Sequence, residues 1–442
     1  MNKTPNHLSR IVGIGFGLAV TVGGMVGLGI LRMPAILAQY TENPYFFIGC
    51  WIAGGLISLT GTFIYAEMST RYPVAGGPFI YATHAFGKLP GFTVAWCDYI
   101  TIAAAVASFA IAVGEYTNLL LGTHYPIGLI AGVLLMVLCV LQWQGLKVSS
   151  GVQQTISVLK ALGLLVLVGA CYYYFLSGKS PVAGAVSGST SHEIPALPVI
   201  ILSLRAVFYT YTGWKTPVYF AEEDTNPRKN IPAALKWGVV SVIALYVLVN
   251  LGLMAVLPLH EMATSVLPAA DATQVIFGGQ GKLVVTIISV LSLVGILFAY
   301  FLACPRILLA VSRAGLFFKS ASAINKHQIP GNALIITTAV SIAFASIGLF
   351  KVVMAIASMM AMLVDLAVYT SIIAVRKKAP SEANFYRAPA YPVVALLMIA
   401  VTFAIIVGLF IEDTQNSIYA MVLLVAALPV YYVVAKTTRR IN

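Results

Sequence analysis

Gly23-Gly24-Met25-Val26-Gly27-Leu28-Gly29, followed by Pro34, interrupts the first long apolar run of the chain. The sixth such run carries Tyr209-Thr210-Tyr211-Thr212-Gly213-Trp214, followed by Pro217. Glycine weakens a helix through its backbone freedom, and proline removes a ladder hydrogen bond. At membrane depth, non-helical backbone survives only where it lines a cavity or is buried in protein. Close packing of small residues against a neighbouring helix would account for one glycine-rich span. Two such spans, the first and the sixth, ask for more. If spans 1–5 and 6–10 are halves of opposite orientation, the breaks fall at equivalent places. That pattern points to an inverted-repeat transporter with its site near the midplane.

Composition makes these runs membrane spans. Of 442 residues, 60% are hydrophobic and 9% are charged, whereas soluble chains carry about 25% charged residues. Runs such as Val239–Leu257 and Leu283–Ala303 reach the roughly 20 apolar residues that a spanning helix needs. Barrel strands are about 10 residues long and alternate in polarity, and these runs do neither. The expectation is an all-α integral membrane protein with twelve spans. They lie near 11–38, 46–69, 92–121, 125–145, 153–176, 196–220, 235–257, 282–309, 332–350, 352–375, 391–411 and 416–435. The whole chain, 1–442, reads as a single transporter domain. Its inverted repeats lie at about 11–176 and 196–376, with two further helices at 391–435.

With the N-terminus inside, 19 of the 26 Lys/Arg fall in or beside cytoplasmic segments. Lys179, Lys282 and Lys351 fall outside, and Arg32, Lys160, Arg205 and Lys215 lie within spans. This asymmetry obeys the positive-inside rule. It implies a multi-pass protein of the inner (plasma) membrane with both termini cytoplasmic. The net charge of +12 is spread over short loops and needs no nucleic acid. The apolar segment after Met1–Arg10 is too long for a cleavable signal peptide and lacks a small-residue cleavage site. Five cysteines and six histidines show no metal-ligand spacing, and no nucleophile–base motif, HExxH or P-loop is present. No enzyme activity, cofactor or metal is expected.

Further motifs carry a resemblance. Gly27-Leu28-Gly29-Ile30 lies in span 1, and Tyr65-Ala66-Glu67-Met68 ends span 2. Pro73-Val74-Ala75-Gly76-Gly77-Pro78 and Phe86-Gly87 follow. Gly213-Trp214 precedes Glu222-Glu223 and Asn226-Pro227-Arg228-Lys229-Asn230-Ile231-Pro232, and Phe385-Tyr386-Arg387-Ala388-Pro389 comes after span 10. In this order they resemble the amino acid–polyamine–organocation superfamily, and within it the L-type amino-acid transporters, over nearly the whole chain. The resemblance implies a LeuT-like 5+5 inverted repeat with discontinuous helices 1 and 6. It departs from the family where Leu28 replaces a small hydroxyl residue and Lys215 replaces the usual Asn. The segment Gly122–Tyr125 has no cysteine, so no disulfide-linked accessory chain is expected.

A broken span offers free N–H groups where a half-helix starts and free carbonyls where one ends. The first suit an anion and the second a cation. An amino acid presents both charges close together. Val26, Gly27, Leu28 and Gly29 are therefore expected at the carboxylate, and the carbonyls of Met25, Tyr209 and Thr212 at the ammonium. The resemblance implies an aromatic gate at Tyr209 and a pocket wall at Trp214. It also puts the Lys160 ammonium beside the span 1 break, where sodium sits in sodium-coupled relatives, which implies sodium-independent transport or a proton carrier. Glu222, Glu223 and Arg228 are candidate inner-gate charges. Asp224 reads as a cap before Pro232, and Glu67 as the partner of an inner basic residue. Unpaired charge at membrane depth is costly, so Arg32 and Asp365 are expected to pair as an outer gate. Arg205 and Lys215 then keep the approach positive and disfavour cationic substrates. The function expected is secondary transport of neutral L-amino acids by alternating access, as a sodium-independent exchanger or proton symporter in the lipid bilayer. Acidic amino acids or other small zwitterions are the variant. A channel, a membrane enzyme and a non-transporting sensor are the rivals.

Overall fold

The computed structural model describes residues 8–178, 197–346, 350–378 and 385–441. Those residues are helical throughout, with an isolated bridge between Val12 and Asp224 as their β feature. The chain opens with α1 (Ile14–Met25) and α2 (Gly29–Ala38), then α3 (Pro44–Arg71), the short α4 (Pro78–Phe86) and α5 (Lys88–Leu121). Next come α6 (Ile127–Trp143), α7 (Leu146–Leu176) and α8 (Leu197–Thr210). A 3-10 turn at Thr216–Phe220 leads to α9 (Pro227–Val256), α10 (Leu259–Thr264) and α11 (Pro268–Phe277). The remainder is α12 (Gly281–Arg313), α13 (Gly331–Ser346), α14 (Phe350–Lys378), α15 (Val393–Glu412) and α16 (Thr414–Ile441).

Eight of these helices are long and apolar enough to cross a membrane, or nine if α1 and α2 count as one broken span. The apolar helices α6 and α13 are shorter, at 17 and 16 residues. Helix ends follow local chemistry. The Asn43 side chain accepts from the Tyr45 and Phe46 N–H groups and starts α3, with Pro44 in the first turn where no N–H is missed. Gly122, at φ 62°, ends α5 in the left-handed conformation that glycine adopts freely. The core runs around α5, which packs on α12, α14, α4, α6 and α13. In its most apolar stretch 83% of the residues are buried, against 22% for α15 and 17% for α16. The last two helices are peripheral and leave most of their surface uncovered by the rest of the chain.

Both broken runs lose the α-helix where the glycines stand. α1 and α2 are bent by 41° across Val26–Leu28. α8 stops at Thr210, Gly213 takes φ 102°, and the chain continues as the 3-10 turn carrying Pro217.

Candidate functional site

The two breaks face each other at van der Waals contact. A Cβ built on Gly213 would stand 2.2 Å from the Gly24 carbonyl oxygen, and one on Gly24 would stand 2.6 Å from the Gly213 oxygen. No other residue fits at either place, and Gly213 also needs its positive φ. Gly29 meets Thr210 in the same way, its Cβ falling 2.9 Å from Thr210 Cγ2. Gly27 is different, since an added methyl would make an ordinary 3.5 Å contact with Ile296. From α9, the buried Tyr246 hydroxyl donates to Met25 O at 2.9 Å and reaches Thr210 O at 3.3 Å. One phenol therefore ties the carbonyl ends of α1 and α8 together.

The expected site residues divide at this point. The Val26 N–H does not face outward, because it closes the last turn of α1 on Val22 O at 2.9 Å. That corrects its assignment to a carboxylate. Gly27, Leu28 and Gly29 lead into α2, where first-turn N–H groups have no intrahelical acceptor. Leu28 packs against the small buried cluster of Ala112, Val113 and Leu293. The Met25 carbonyl spends one of its lone pairs on Tyr246. Thr212 lies in the turn between α8 and the 3-10 segment. The side chains of Tyr209 and Arg205 lie outside the described residues. Trp214 is buried and packs edge-on against Tyr65 of α3 at 5.0 Å.

Lys160 on α7 is fully buried, and its Nζ donates to Gly23 O at 2.7 Å and Val26 O at 2.6 Å. Ser157 on the same face donates to Ala19 O at 2.8 Å. The Gln153 side chain reaches that carbonyl at 3.5 Å and Ser157 Oγ at 3.1 Å. The spacing 153, 157, 160 keeps these groups on one helical face. They run along α1 and end on the orphan carbonyls of its last turn, where an ammonium also complements the helix dipole.

Below the breaks lies a buried charged cluster. Lys215 Nζ is 2.8 Å from Asp365 Oδ1, which also accepts from the Tyr65 hydroxyl at 2.5 Å. Beside them, Tyr219 donates to both oxygens of the fully buried Asp98 at 2.9 Å. The expected Arg32–Asp365 outer gate is therefore corrected. Asp365 turns to Lys215, which the break carries inward two residues past Gly213, while Arg32 is exposed on α2. Lys215 is neutralised by this pairing, so it does not supply the positive approach expected of it.

The end of the bundle that Leu8 reaches holds further ion pairs. Arg306 meets Glu223 through two bonds of 3.0 and 3.1 Å, both side chains being almost fully buried, with Phe220 5.0 Å away. Glu222 bonds Arg313 at 2.6 Å and accepts from the Leu8 N–H at 2.9 Å and the Ala75 N–H at 3.4 Å. Burial alone would push the Glu222 carboxyl up. The Arg313 hydrogen bond, the Leu8 N–H and the Arg313 charge outweigh it and hold the group below the usual range. For Glu223 burial prevails over Arg306, and its carboxyl is raised. Residues 11–12 bond the Glu223 carbonyl, and Thr225 N–H returns to Val12 O. Asp224 stands two residues before Asn226, the N-cap of α9, and accepts from the Asn226 N–H and the Asn230 side chain, which corrects its reading as the cap itself. Glu67 accepts from Arg71, Arg376 and the Ala388 N–H.

Sequence reasoning missed Asp98, Tyr219, Tyr65 and Tyr246. Asp98 carried a signal, because it and Glu115 are the acidic residues of span 92–121, and charge at membrane depth marks function. The tyrosines carried none, since a buried phenol reads as packing until its partner is seen.

A family profile described as "Amino acid permease" matches residues 18–428. The chain is 26% identical over 445 residues to a serine/threonine exchanger, SteT, of Bacillus subtilis (strain 168), covering 98% of each chain. It is 26% identical over 435 residues to a cystine/glutamate transporter of Homo sapiens, covering 96% of this chain and 85% of that one. It is 24% identical over 341 residues to a b(0,+)-type amino acid transporter 1 of Mus musculus, covering 74% and 68%.

Proposed function

The chain belongs to the amino acid permease family, and from that premise we propose that it is a secondary carrier of neutral L-amino acids working by alternating access. The observation that carries this reading is the contact of the two breaks, Gly24 on Gly213. Together with Gly29 on Thr210, it brings the N–H end of α2 and the carbonyl end of α8 to one place, the pair of opposite partial charges that a zwitterion requires. In this reading Gly27, Leu28 and Gly29 hold the carboxylate through backbone N–H groups. The carbonyls of Met25, Tyr209 and Thr212 hold the ammonium. Tyr209 gates the pocket.

The chain crosses the membrane twelve times as two inverted five-helix repeats followed by two further helices. Nine spans are supported by length and composition, and three more by the shorter α6 and α13 and by α8 with its 3-10 extension. Lys160 Nζ occupies the carbonyl ends of α1 by donating to Gly23 O and Val26 O, which supports sodium-independent transport. The neutral-substrate assignment leans on the serine/threonine exchanger covering 98% of this chain. The cystine/glutamate relative keeps acidic substrates as the second reading.

The test is uptake of a labelled amino-acid panel into proteoliposomes with and without sodium. Serine, threonine or leucine uptake that ignores sodium supports the proposal. Strict sodium dependence, or better competition by arginine or putrescine than by any neutral amino acid, contradicts it.

A further inference from the structure

We propose that Asp98 is the proton-binding group that couples this carrier to a pH gradient; the inference rests on the carrier reading above and names its coupling site. Asp98 stands on α5, fully buried, and the hydrogen bonds to its carboxylate come from the Tyr219 hydroxyl. Among the described residues no basic group stands within ion-pair distance of it. The nearest cation, Lys215, is engaged at 2.8 Å by Asp365. The groups that face Asp98 from the surrounding elements are Tyr81 on α4, Lys215 and Tyr219 at the 3-10 turn, Cys304 on α12, and Asp365 on α14, which Tyr65 on α3 also bonds. The phenols and the thiol are neutral, so the cluster holds two carboxylates and one ammonium. With every acid ionised it would carry one uncompensated negative charge in a dry interior. Burying an unpaired carboxylate is far costlier than taking up a proton. Asp365 has the lysine and Tyr65, so the proton belongs on Asp98.

The position gives that proton work to do. The cluster lies between the breaks and the inner ion pairs. Lys215 is two residues from Gly213, which touches Gly24, and Tyr219 is followed by Phe220, which lies under Arg306. Opening the cytoplasmic side requires the Glu223–Arg306 layer to part, which admits water to Asp98. Hydrated, the carboxylate is stable as the anion, and the proton leaves to water. Closing the layer expels the water and restores the need for the proton. A group that binds a proton in one state and releases it in the other couples the two equilibria by linkage.

The experiment uses the purified full chain in proteoliposomes containing a pH-sensitive dye, with serine as the labelled substrate. For the wild type, an inward pH gradient should raise initial uptake several-fold, and serine entry should acidify the lumen. In Asp98→Asn the ratio of uptake with the gradient to uptake without it should fall to one, with no lumen acidification. Tyr219→Phe keeps the acid but removes the donor that favours its ionised form. The pH of half-maximal uptake should then move to higher pH, and this variant carries the test where Asp98→Asn fails to fold. A wild type that exchanges serine without moving protons overturns the proposal, as does an Asp98→Asn chain that keeps the full gradient response. A Tyr219→Phe profile that stays in place or moves to lower pH also overturns it. A wild type that transports no amino acid from a broad panel instead fails the carrier reading itself.

Discussion

In the carrier proposed above, removing the guanidinium of Arg306 should open the cytoplasmic side. Arg306 and Glu223 are both about 2% exposed or less and meet through two hydrogen bonds. Arg306→Ala leaves a buried carboxylate without its partner, a change that costs roughly 3–5 kcal/mol. Burial already raises the Glu223 carboxyl. The orphaned group therefore takes a proton, and the loss stays near the lower figure, about 3 kcal/mol. This pair is made between α12 and the segment after the 3-10 turn, so the loss falls on the cytoplasm-closed state. At about 1.4 kcal/mol per factor of ten, the open population should rise on the order of 100-fold. The reporter is Ala221→Cys, a position fully buried beside Phe220, in a chain whose native cysteines are replaced by serine. Alkylation by an impermeant maleimide from the cytoplasmic side should accelerate by tens of fold in Arg306→Ala. Arg306→Lys, which keeps the charge but loses the fork, should lie between the two. An Arg306→Ala rate within a factor of two of the parent would show that this pair does not distinguish the two states.

Tyr246→Phe removes the hydroxyl shared by Met25 O and Thr210 O; at about 0.5–1.5 kcal/mol per bond it should weaken substrate binding about 3- to 10-fold, measured by equilibrium binding, and an unchanged Kd would remove Tyr246 from the site. Gly213→Ala should abolish transport, since its Cβ would fall 2.2 Å from the Gly24 oxygen at φ 102°; Gly27→Ala, with room beside Ile296, should yield a folded protein with lowered affinity, and full affinity there would exclude backbone recognition at Gly27. The Glu222 carboxyl is held below its ordinary value, so its latch on Leu8, Ala75 and Arg313 is fully present above the ordinary glutamate range and is lost as pH falls through the depressed value. Proteolysis of the N-terminal segment should therefore accelerate on acidification below the ordinary range, and Glu222→Gln should show the fast rate already at neutral pH; equal rates at all pH values would dissociate Glu222 from the latch.

The breaks were legible in the sequence because clustered glycines weaken a helix wherever they stand in an apolar run, and both breaks lie at the glycines. Glu67 as an ion-pair acceptor was legible because it stands at a span end beside basic residues, whereas Asp224 makes a turn before the N-cap Asn226 and is not the cap. The Asp365 partner was not legible. Pairing across 150 positions, as in Lys215–Asp365, depends on which way the chain turns after Gly213, and composition does not encode that direction. The Val26 N–H shows the same limit at smaller scale. The break is visible in the sequence, but whether α1 ends one residue earlier or later decides whether that group is free. Gly29 was expected to serve the ligand; its closest demand is packing against Thr210, so a bulky substitution there reports on helix contact as well as on binding.

If one amino acid at the paired breaks is carried by alternating access, its outward and inward movements must be linked, and counterflow reads that linkage. Proteoliposomes of the purified chain are loaded with an excess of unlabelled serine, and labelled serine is supplied outside in trace amounts without sodium. Saturable entry is expected, with transient accumulation of label above the external level, and no overshoot in Gly213→Ala vesicles. Entry that rises linearly with concentration and is indifferent to internal serine would rule out a carrier and identify a pore.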